Sequence, residues 1–351
     1  MEMSGKKRIT IALTGLNAVD SPGPGVAVVR GIRDCKDFDV RIIGLSYESL
    51  EPGIYMEGIT DKTYQIPYPS AGSESLLTRL EYNHEKEHID VLIPNFDAEL
   101  YNFIKFAPKL KEMNIHTFMP TIEQFEARDK INLFTFCKKN NFLVPRDRTV
   151  YSVAELPAAA AHFNYPLVVK GKYYDAAVCQ TLEQAQKAFH KLEAKWGLPI
   201  IVQEFILGTE INVAALGDGK GNTISAIPMR KLFITDKGKA WAGVTLEDSK
   251  LIKLARDFIK ATNWRGGCEL ELMVTNDGRP YFMEVNPRFP AWIYLTVGAG
   301  QNQPAALVKL ALGEELEPFT TYAVGKTFIR YSWDMIIDIE QFQHFSAFGE
   351  N

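Results

Sequence analysis

The sequence predicts a mixed α/β protein: an N-terminal doubly wound parallel sheet, a small lid subdomain, and a mainly antiparallel C-terminal sheet. Three observations carry that expectation. Residues 8–120 alternate nearly continuous apolar runs with amphipathic stretches, as a parallel sheet covered on both faces requires. Residues 149–206 repeat a βαββαβ pattern on a smaller scale. Beyond 207, strands follow one another and end on a hairpin whose Asn276-Asp277-Gly278-Arg279 turn is the strongest in the chain.

In order, RITIALTGL, VRIIGLSY, IDVLIPNF and HTFMP are expected as parallel strands, with helices over Gly25–Asp34 and Ser73–Glu87. Ligands of such sheets gather at the carboxyl ends of the strands. Two segments fall there. Gly15 to Gly25 (GLNAVDSPGPG) opens a helix whose free N–H groups suit an anion, but its spacing is not that of a dinucleotide fingerprint. Asn95-Phe96-Asp97-Ala98-Glu99 follows the third strand, and Asp97 there either caps a helix or meets a ligand. His84-Glu85-Lys86-Glu87-His88 matches a zinc-protease pattern, yet its highly charged setting and lack of a third ligand favour a solvated helix face.

Residues 121–148 form an amphipathic helix and an extended turn. The lid subdomain then offers a helix over Ser152–Phe163, strands PLVVKG and DAAVCQT, a Thr-capped helix over Thr181–Lys195, and strand PIIVQEFI. Lys170 ends an apolar strand, where a charge needs a partner and phosphate is a good one. EINVAALGD, NTISAIPMRKLFI and KAWAGVTL are further strands. Arg230 and Lys231 lie in the second of these, where surface solubility accounts for them; in the relatives that the resemblance below implies, such paired bases contact phosphate or an acidic substrate. A helix over Asp248–Asn263 precedes the hairpin; a helix near Gln303–Leu312 and strand KTFIRYSW close the chain.

Composition narrows the class. The 351 residues suggest two or three domains, and a hydrophobic fraction of 46% suits a packed core. A net charge of -4 argues against a general nucleic-acid binder. No apolar run nears the ~20 residues that span a membrane. The opening KKRITIALTGL is too short in its apolar part for a signal peptide and reads as a buried strand. Four scattered cysteines with no CxxC pair fit reduced thiols in the cytoplasm.

The hairpin carries the chemistry. With a two-residue turn at Asp277-Gly278, Glu271 faces Glu284 and Glu269 faces Asn286, all on one face. Opposed carboxylates repel, and a cation between them removes the penalty. Oxygen-only ligands suit Mg²⁺ or Mn²⁺ carrying phosphates. The competing reading is a solvated acidic face, although Leu, Met, Val and Phe fill the alternate positions as a core face would.

Glu271 followed by Glu284-x-Asn286-x-Arg288 resembles the metal-binding end of the ATP-grasp superfamily, in the style of biotin carboxylase and the carbamoyl-phosphate synthase large chain. The resemblance is dispersed over nearly the whole chain. It implies α/β architecture (α+β in the ATP-grasp part), with 1–120 as the doubly wound domain, 121–148 a linker helix, 149–206 the lid, and 207–351 the metal-bearing part. It implies Glu271, Glu284 and Asn286 on Mg²⁺, and Arg288 beside an acyl phosphate. Lys130 and Lys170 fall where relatives place two ATP lysines. Glu204, Phe205 and Ile206 match the hinge that meets adenine, and Glu210 the acid on the ribose. One departure stands out: Gly171-Lys172-Tyr173-Tyr174-Asp175 carries a single glycine where relatives have a Gly-rich phosphate loop. Lys172 is expected to supply charge there. Lys172 and Arg230 join Arg288 as candidate catalytic residues.

The implied activity is an ATP-dependent carboxylate–amine ligase that releases ADP and phosphate. Its expected partners are small-molecule or peptide carboxylates and amines, with no nucleic acid and no membrane, and a homodimer is compatible with it. The alternatives are a non-catalytic or regulatory nucleotide binder, which the Gly-poor loop favours, and a small-molecule kinase of the same fold.

Overall fold

A computed structural model describes residues 8–351 except 20, 21, 128, 129, 172–174, 236 and 237, together with the side chains of 130 and 131. By its internal contacts the chain divides into two units. The larger comprises Met1–Arg128, Asn212–Leu270 and Val285–Asn351; the smaller comprises Asp129–Ile211 and Glu271–Glu284.

The larger unit begins with β1 (Arg8–Leu13), α1 (Gly25–Asp34), β2 (Asp39–Ser46), β3 (Lys62–Gln65), α2 (Ser73–Glu87), β4 (Val91–Ile93), α3 (Asp97–Glu112) and α4 (Ile122–Ala127). Its four strands run parallel in the order β3-β2-β1-β4. Ile11, Leu13, Val28 and Ile32 share one core, while Leu45, Leu76, Leu80 and Phe103 form another. This is the expected doubly wound sheet, with one strand exchanged. HTFMP touches β4 at a single bridge, His116 to Val91, and then leaves the sheet before Pro120. β3 takes the fourth place instead, because Thr63 and Tyr64 are fully buried within a short polar-looking run.

Gly25 is required where α1 starts. A Cβ there meets the carbonyl oxygens of Thr14 at 2.2 Å and Gly15 at 2.5 Å, so only glycine lets the helix sit on the end of β1.

The smaller unit contains α5 (Lys130–Lys139), β5 (Asp147–Val150), α6 (Leu156–Phe163), β6 (Leu167–Lys170), β7 (Ala176–Cys179), α7 (Leu182–Trp196) and β8 (Ile200–Glu204). Its sheet has the order β5-β8-β6-β7 with antiparallel pairings. Val150, Val169 and Val202 pack on Ala159, Phe163, Phe189 and Leu192 of α6 and α7. Thr181 caps α7 by accepting from the Gln184 N–H at 3.3 Å, as its side chain and position predict.

A six-stranded sheet follows, built from β9 (Thr209–Asp218), β10 (Thr223–Ile234), β11 (Ala240–Thr245), β12 (Arg265–Val274), β13 (Pro280–Asn286) and β14 (Thr327–Ile329), with α8 (Ser249–Thr262) between β11 and β12 in the chain. Its order is β13-β12-β9-β10-β11-β14. After β13 come α9 (Tyr294–Gly298), α10 (Gln303–Ala311) and, beyond β14, α11 (Ile339–Phe348). Asp248 caps α8 through the N–H groups of Lys250 and Leu251. Gln124 of α4 donates to the carbonyls of Thr262 and Asn263 at its other end. Phe345 of α11 is buried, and the last residues bridge to β3 from Glu350 to Tyr64. They cover an edge that sheets otherwise leave open.

The hairpin turn differs from the expected one. Thr275 N–H donates to Arg279 O at 3.1 Å and Gly278 N–H to Thr275 O at 2.8 Å, with Gly278 at φ +79. Three residues therefore form the loop, and pairs beside the turn have numbers summing to 554 rather than 555. Yet Glu269 and Asn286, whose numbers sum to 555, are hydrogen-bonded side chain to side chain.

Candidate functional site

In the larger unit the end of the hairpin is organised around Glu269. This carboxylate, 5% exposed, accepts four hydrogen bonds. Oε1 takes Nδ2 of Asn212 and Nε1 of Trp292, each at 2.7 Å. Oε2 takes Nδ2 of Asn286 at 3.0 Å and Nη1 of Arg288 at 3.4 Å. A carboxylate has about four lone-pair directions, and all are engaged here. Glu269 is thereby closed to a metal, whereas Asn286 and Arg288 are oriented by it.

Arg288 is held from its other side by Asp97, whose Oδ2 lies 3.2 Å from Nε and from Nη2. Asp97 opens α3, yet Glu99 is the side chain that reaches back to the Phe96 N–H at 3.0 Å. Of the two readings open for Asp97, the cap is performed by a neighbour and the carboxylate meets an arginine instead. Arg330, directly after β14, is partly buried. Burial lowers the pKa of its guanidinium, and the Glu269 charge opposes that shift. Neither Glu269 as a hub nor Arg330 was singled out from sequence. An arginine within the apolar run KTFIRYSW was the available signal for the second.

Behind Asp97, at the carboxyl ends of β1, β2 and β4, lies a second buried acid. Glu99 is fully buried and accepts from the hydroxyls of Thr14 and Tyr47 and from the N–H groups of Asn95 and Phe96. Burial pushes its pKa up to about 7, and the four donors hold it back from rising further. Tyr47 stacks on Tyr68 at 5.5 Å and lies 6.2 Å from Phe96, giving this sheet end an aromatic wall.

Arg230 is exposed on β10, paired with Val244 of β11. Lys231, next to it, donates to the carbonyl of Gly238 at 3.3 Å. The zinc-protease pattern does not form a helical pair: α2 ends at Glu87, and His88 turns left-handed at φ 51. Among the described residues no group of three or more His, Cys, Asp or Glu side chains is placed to hold a metal.

In the smaller unit Lys170 ends β6, paired with Ala176 and Ile201. Glu204 ends β8 and is taken by Arg146, with Nε at 3.0 Å and Nη2 at 3.2 Å. Burial works to raise the Glu204 pKa, but the bonds from Arg146 outweigh it and the net shift is downward. The Glu204 side chain is thus paired with Arg146. Gly208 fixes the path beyond it, since a Cβ there lies 2.4 Å from the carbonyl oxygen of Val274. Glu210 on β9, Glu271 on β12 and Glu284 on β13 are partly buried in this unit. Phe282 is anchored beside Glu284 by a bond from its N–H to Leu143 O at 2.8 Å and by Phe142 at 5.4 Å. Lys172 and the side chain of Lys130 lie outside the described residues.

Comparison with known proteins bears on the fold. A family model described as ATP-grasp in the biosynthetic pathway with Ter operon matches residues 198–330. The N-terminal section of the carbamoyl phosphate synthase large chain of Methanopyrus kandleri is 24% identical over 273 residues, covering 70% of this chain and 48% of that one. A D-alanine–D-alanine ligase of Cupriavidus metallidurans is 27% identical over 179 residues, 46% of this chain and 54% of its own. The chain thus spans about half the length of these curated relatives. Among solved structures, a biotin carboxylase–ATP complex from Campylobacter jejuni superposes with a TM-score of 0.70 at 17% identity, covering 91% of this chain and 74% of that one. An ADP complex of N5-carboxyaminoimidazole ribonucleotide synthetase gives 0.68 at 16%, covering 90% and 79%. The fold is the ATP-grasp fold, and the resemblance to the ATP-grasp superfamily is shown.

Proposed function

We propose, from the ATP-grasp fold as premise, that this chain is an ATP-dependent ligase joining a carboxylate to an amine through an acyl phosphate. The observation that supports it most is Arg288, fixed between Asp97 and Glu269 two residues beyond Asn286. A guanidinium held on two sides is fixed in position, and a fixed positive charge is what stabilising a developing negative charge requires. The donor set Glu271, Glu284 and Asn286 is oxygen only, and Glu269 beside it is closed by its four donors, so the chemistry of the set fits Mg²⁺ or Mn²⁺. Held by Glu271, Glu284 and Asn286, the ion would supply positive charge that offsets the charge of the ATP phosphates.

Lys130 and Lys170 would hold phosphate oxygens. Main-chain groups near Phe205 and Ile206 would receive the adenine, and Glu210 the ribose. An oxygen of the substrate carboxylate attacks the γ-phosphorus, and the bond to the β-phosphate oxygen breaks to release ADP. The amine nitrogen then attacks the acyl carbon, phosphate leaves, and the amine proton passes to solvent. Arg288, Lys172 and Arg230 would meet the charge on the transferred group.

Release of ADP and phosphate from ATP, given pools of carboxylates and amines, tests this reading; release of AMP overturns it. Hydroxylamine should trap a hydroxamate when amine is omitted, and Arg288→Ala should lose trapping while retaining nucleotide binding. The single glycine in 171–175 favours a second reading, a nucleotide-binding regulator. ATP binding with no turnover across the pools would select it. Turnover independent of any amine would select a small-molecule kinase.

A further inference from the structure

Glu269 stands out because its neighbours in the motif, and not Glu269 itself, are the candidate ligands. Its four donors come from four places: Asn212 on β9, Asn286 at the end of β13, Arg288 just beyond it, and Trp292 before α9. Two of these, the indole N–H and the guanidinium, can only donate. The amides of Asn212 and Asn286 are reversible in principle, since each has a donor end and an acceptor end. A carboxylate offers only acceptors, so both amides must turn their nitrogens toward it. For Asn286 this turns Oδ1 away from Glu269, and Oδ1 is the only atom of that side chain a hard cation will take.

We infer that Glu269 is a positioning residue: it sets the Asn286 amide with oxygen toward the metal and holds Arg288 in register with it. The inference rests on the ligase reading above and deepens it. Glu269→Gln is the sharpest probe, because it preserves shape and removes one acceptor. With the new amide nitrogen toward Asn286 and Arg288, Asn286 reverses to satisfy it and presents nitrogen to the metal, while Arg288 loses a partner it cannot replace. With that nitrogen on the other side, it faces the indole of Trp292, which cannot reverse.

The test is a Mn²⁺ titration by electron paramagnetic resonance in the presence of a non-hydrolysable ATP analogue, alongside a thermal melt. Wild type should bind Mn²⁺ with the analogue; if it does not, the ligase reading fails before any variant is compared. Glu269→Gln should bind Mn²⁺ about 10- to 100-fold more weakly, the range seen when a group orienting a metal ligand is lost. Its metal-free affinity for the analogue should be unchanged. Adding Asn286→Asp to Glu269→Gln should recover most of the loss, because an acceptor then faces the new amide and an oxygen still faces the metal. A double-mutant cycle with Asn286→Asp alone isolates that coupling. Trp292→Phe, which removes a donor from Oε1 only, should lower the melting temperature and leave Mn²⁺ affinity unchanged. Should Glu269→Gln fail to fold, Glu269→Asp, which withdraws the carboxylate by one methylene, should show the same direction of change. A folded Glu269→Gln or Glu269→Asp with wild-type Mn²⁺ affinity, or a cycle with no coupling, overturns the inference while leaving the ligase reading standing.

Discussion

Glu99 and Glu269 are both buried, and each accepts four hydrogen bonds, but from different kinds of donor. Those of Glu99 are two hydroxyls, from Thr14 and Tyr47, and two N–H groups of its own segment. Those of Glu269 are an indole, a guanidinium and two amides drawn from separate elements. Hydroxyls rotate and can turn from donor to acceptor, whereas an indole and a guanidinium cannot. Glu99 is therefore a replaceable local bracket for the end of the parallel sheet. Glu269 is a fixed junction, and what it holds in place is the motif itself.

The largest expected effect lies at that junction. Glu269→Ala leaves the Arg288, Trp292, Asn212 and Asn286 donors without their shared acceptor, and should cost about 3–5 kcal/mol in urea unfolding. A loss below about 1 kcal/mol would show that the neighbours rearrange freely, and would erase the contrast with Glu99.

Next comes the pH response of Glu99. Its carboxyl titrates near 7 when folded against an ordinary value of 4.5, so between these limits the unfolded chain has released a proton that the folded one retains. Stability should therefore be highest below pH 4.5, fall as pH rises to 7, and level off above, by about 3 kcal/mol from this group. Glu99→Gln should flatten that segment of the profile, since Oε1 can still serve the main-chain N–H groups while the new amide donates to a rotated Tyr47 hydroxyl. A profile unchanged by the substitution would assign the pH response to another group.

Gly25→Ala should cost about 1–3 kcal/mol, as overpacking does, because the added carbon meets main-chain oxygens at Thr14 and Gly15 that cannot step aside. Since Thr14 donates to Glu99, the substitution should also alter the Glu99 titration, and Mn²⁺ binding at the hairpin should not change. The smallest effect is expected at Glu204. Its pair with Arg146 is well formed yet open to water, so Glu204→Gln should barely move the melting temperature, and any shift should vanish near about 0.5 M salt. A large shift there would mean that solvent exposure is not what separates this carboxylate from Glu269.

Much of this architecture is written in local pattern. Apolar runs and turn residues place α1 and α2 at their observed bounds, the Thr181 and Asp248 caps where side-chain chemistry expects them, and Glu269 on one face with Asn286. Such features depend on spacing along a few residues, and periodicity reports them. The turn of the hairpin was less legible, because Asn276-Asp277-Gly278 satisfies a two-residue and a three-residue loop equally, and only the paired strands decide. The strand pattern likewise favoured HTFMP over the polar-looking β3, whose burial comes from what packs over it.

What tertiary structure alone decided is which donor meets which acceptor. Asp97 and Arg288 are 191 residues apart, and nothing in either segment marks one for the other. Glu204 and Arg146 meet across β5 and β8, giving a lone strand-end acid a partner that its own strand does not contain. Glu269 carries the same side chain as Glu271, two residues away on the same strand, and alternation assigns them the same face. Only the convergence of β9, β13 and the turn before α9 fills every acceptor of one and makes it a support for the residues around it. A sequence lists donors and acceptors, but hydrogen bonds form over about 3 Å, and that proximity exists only once the elements have packed.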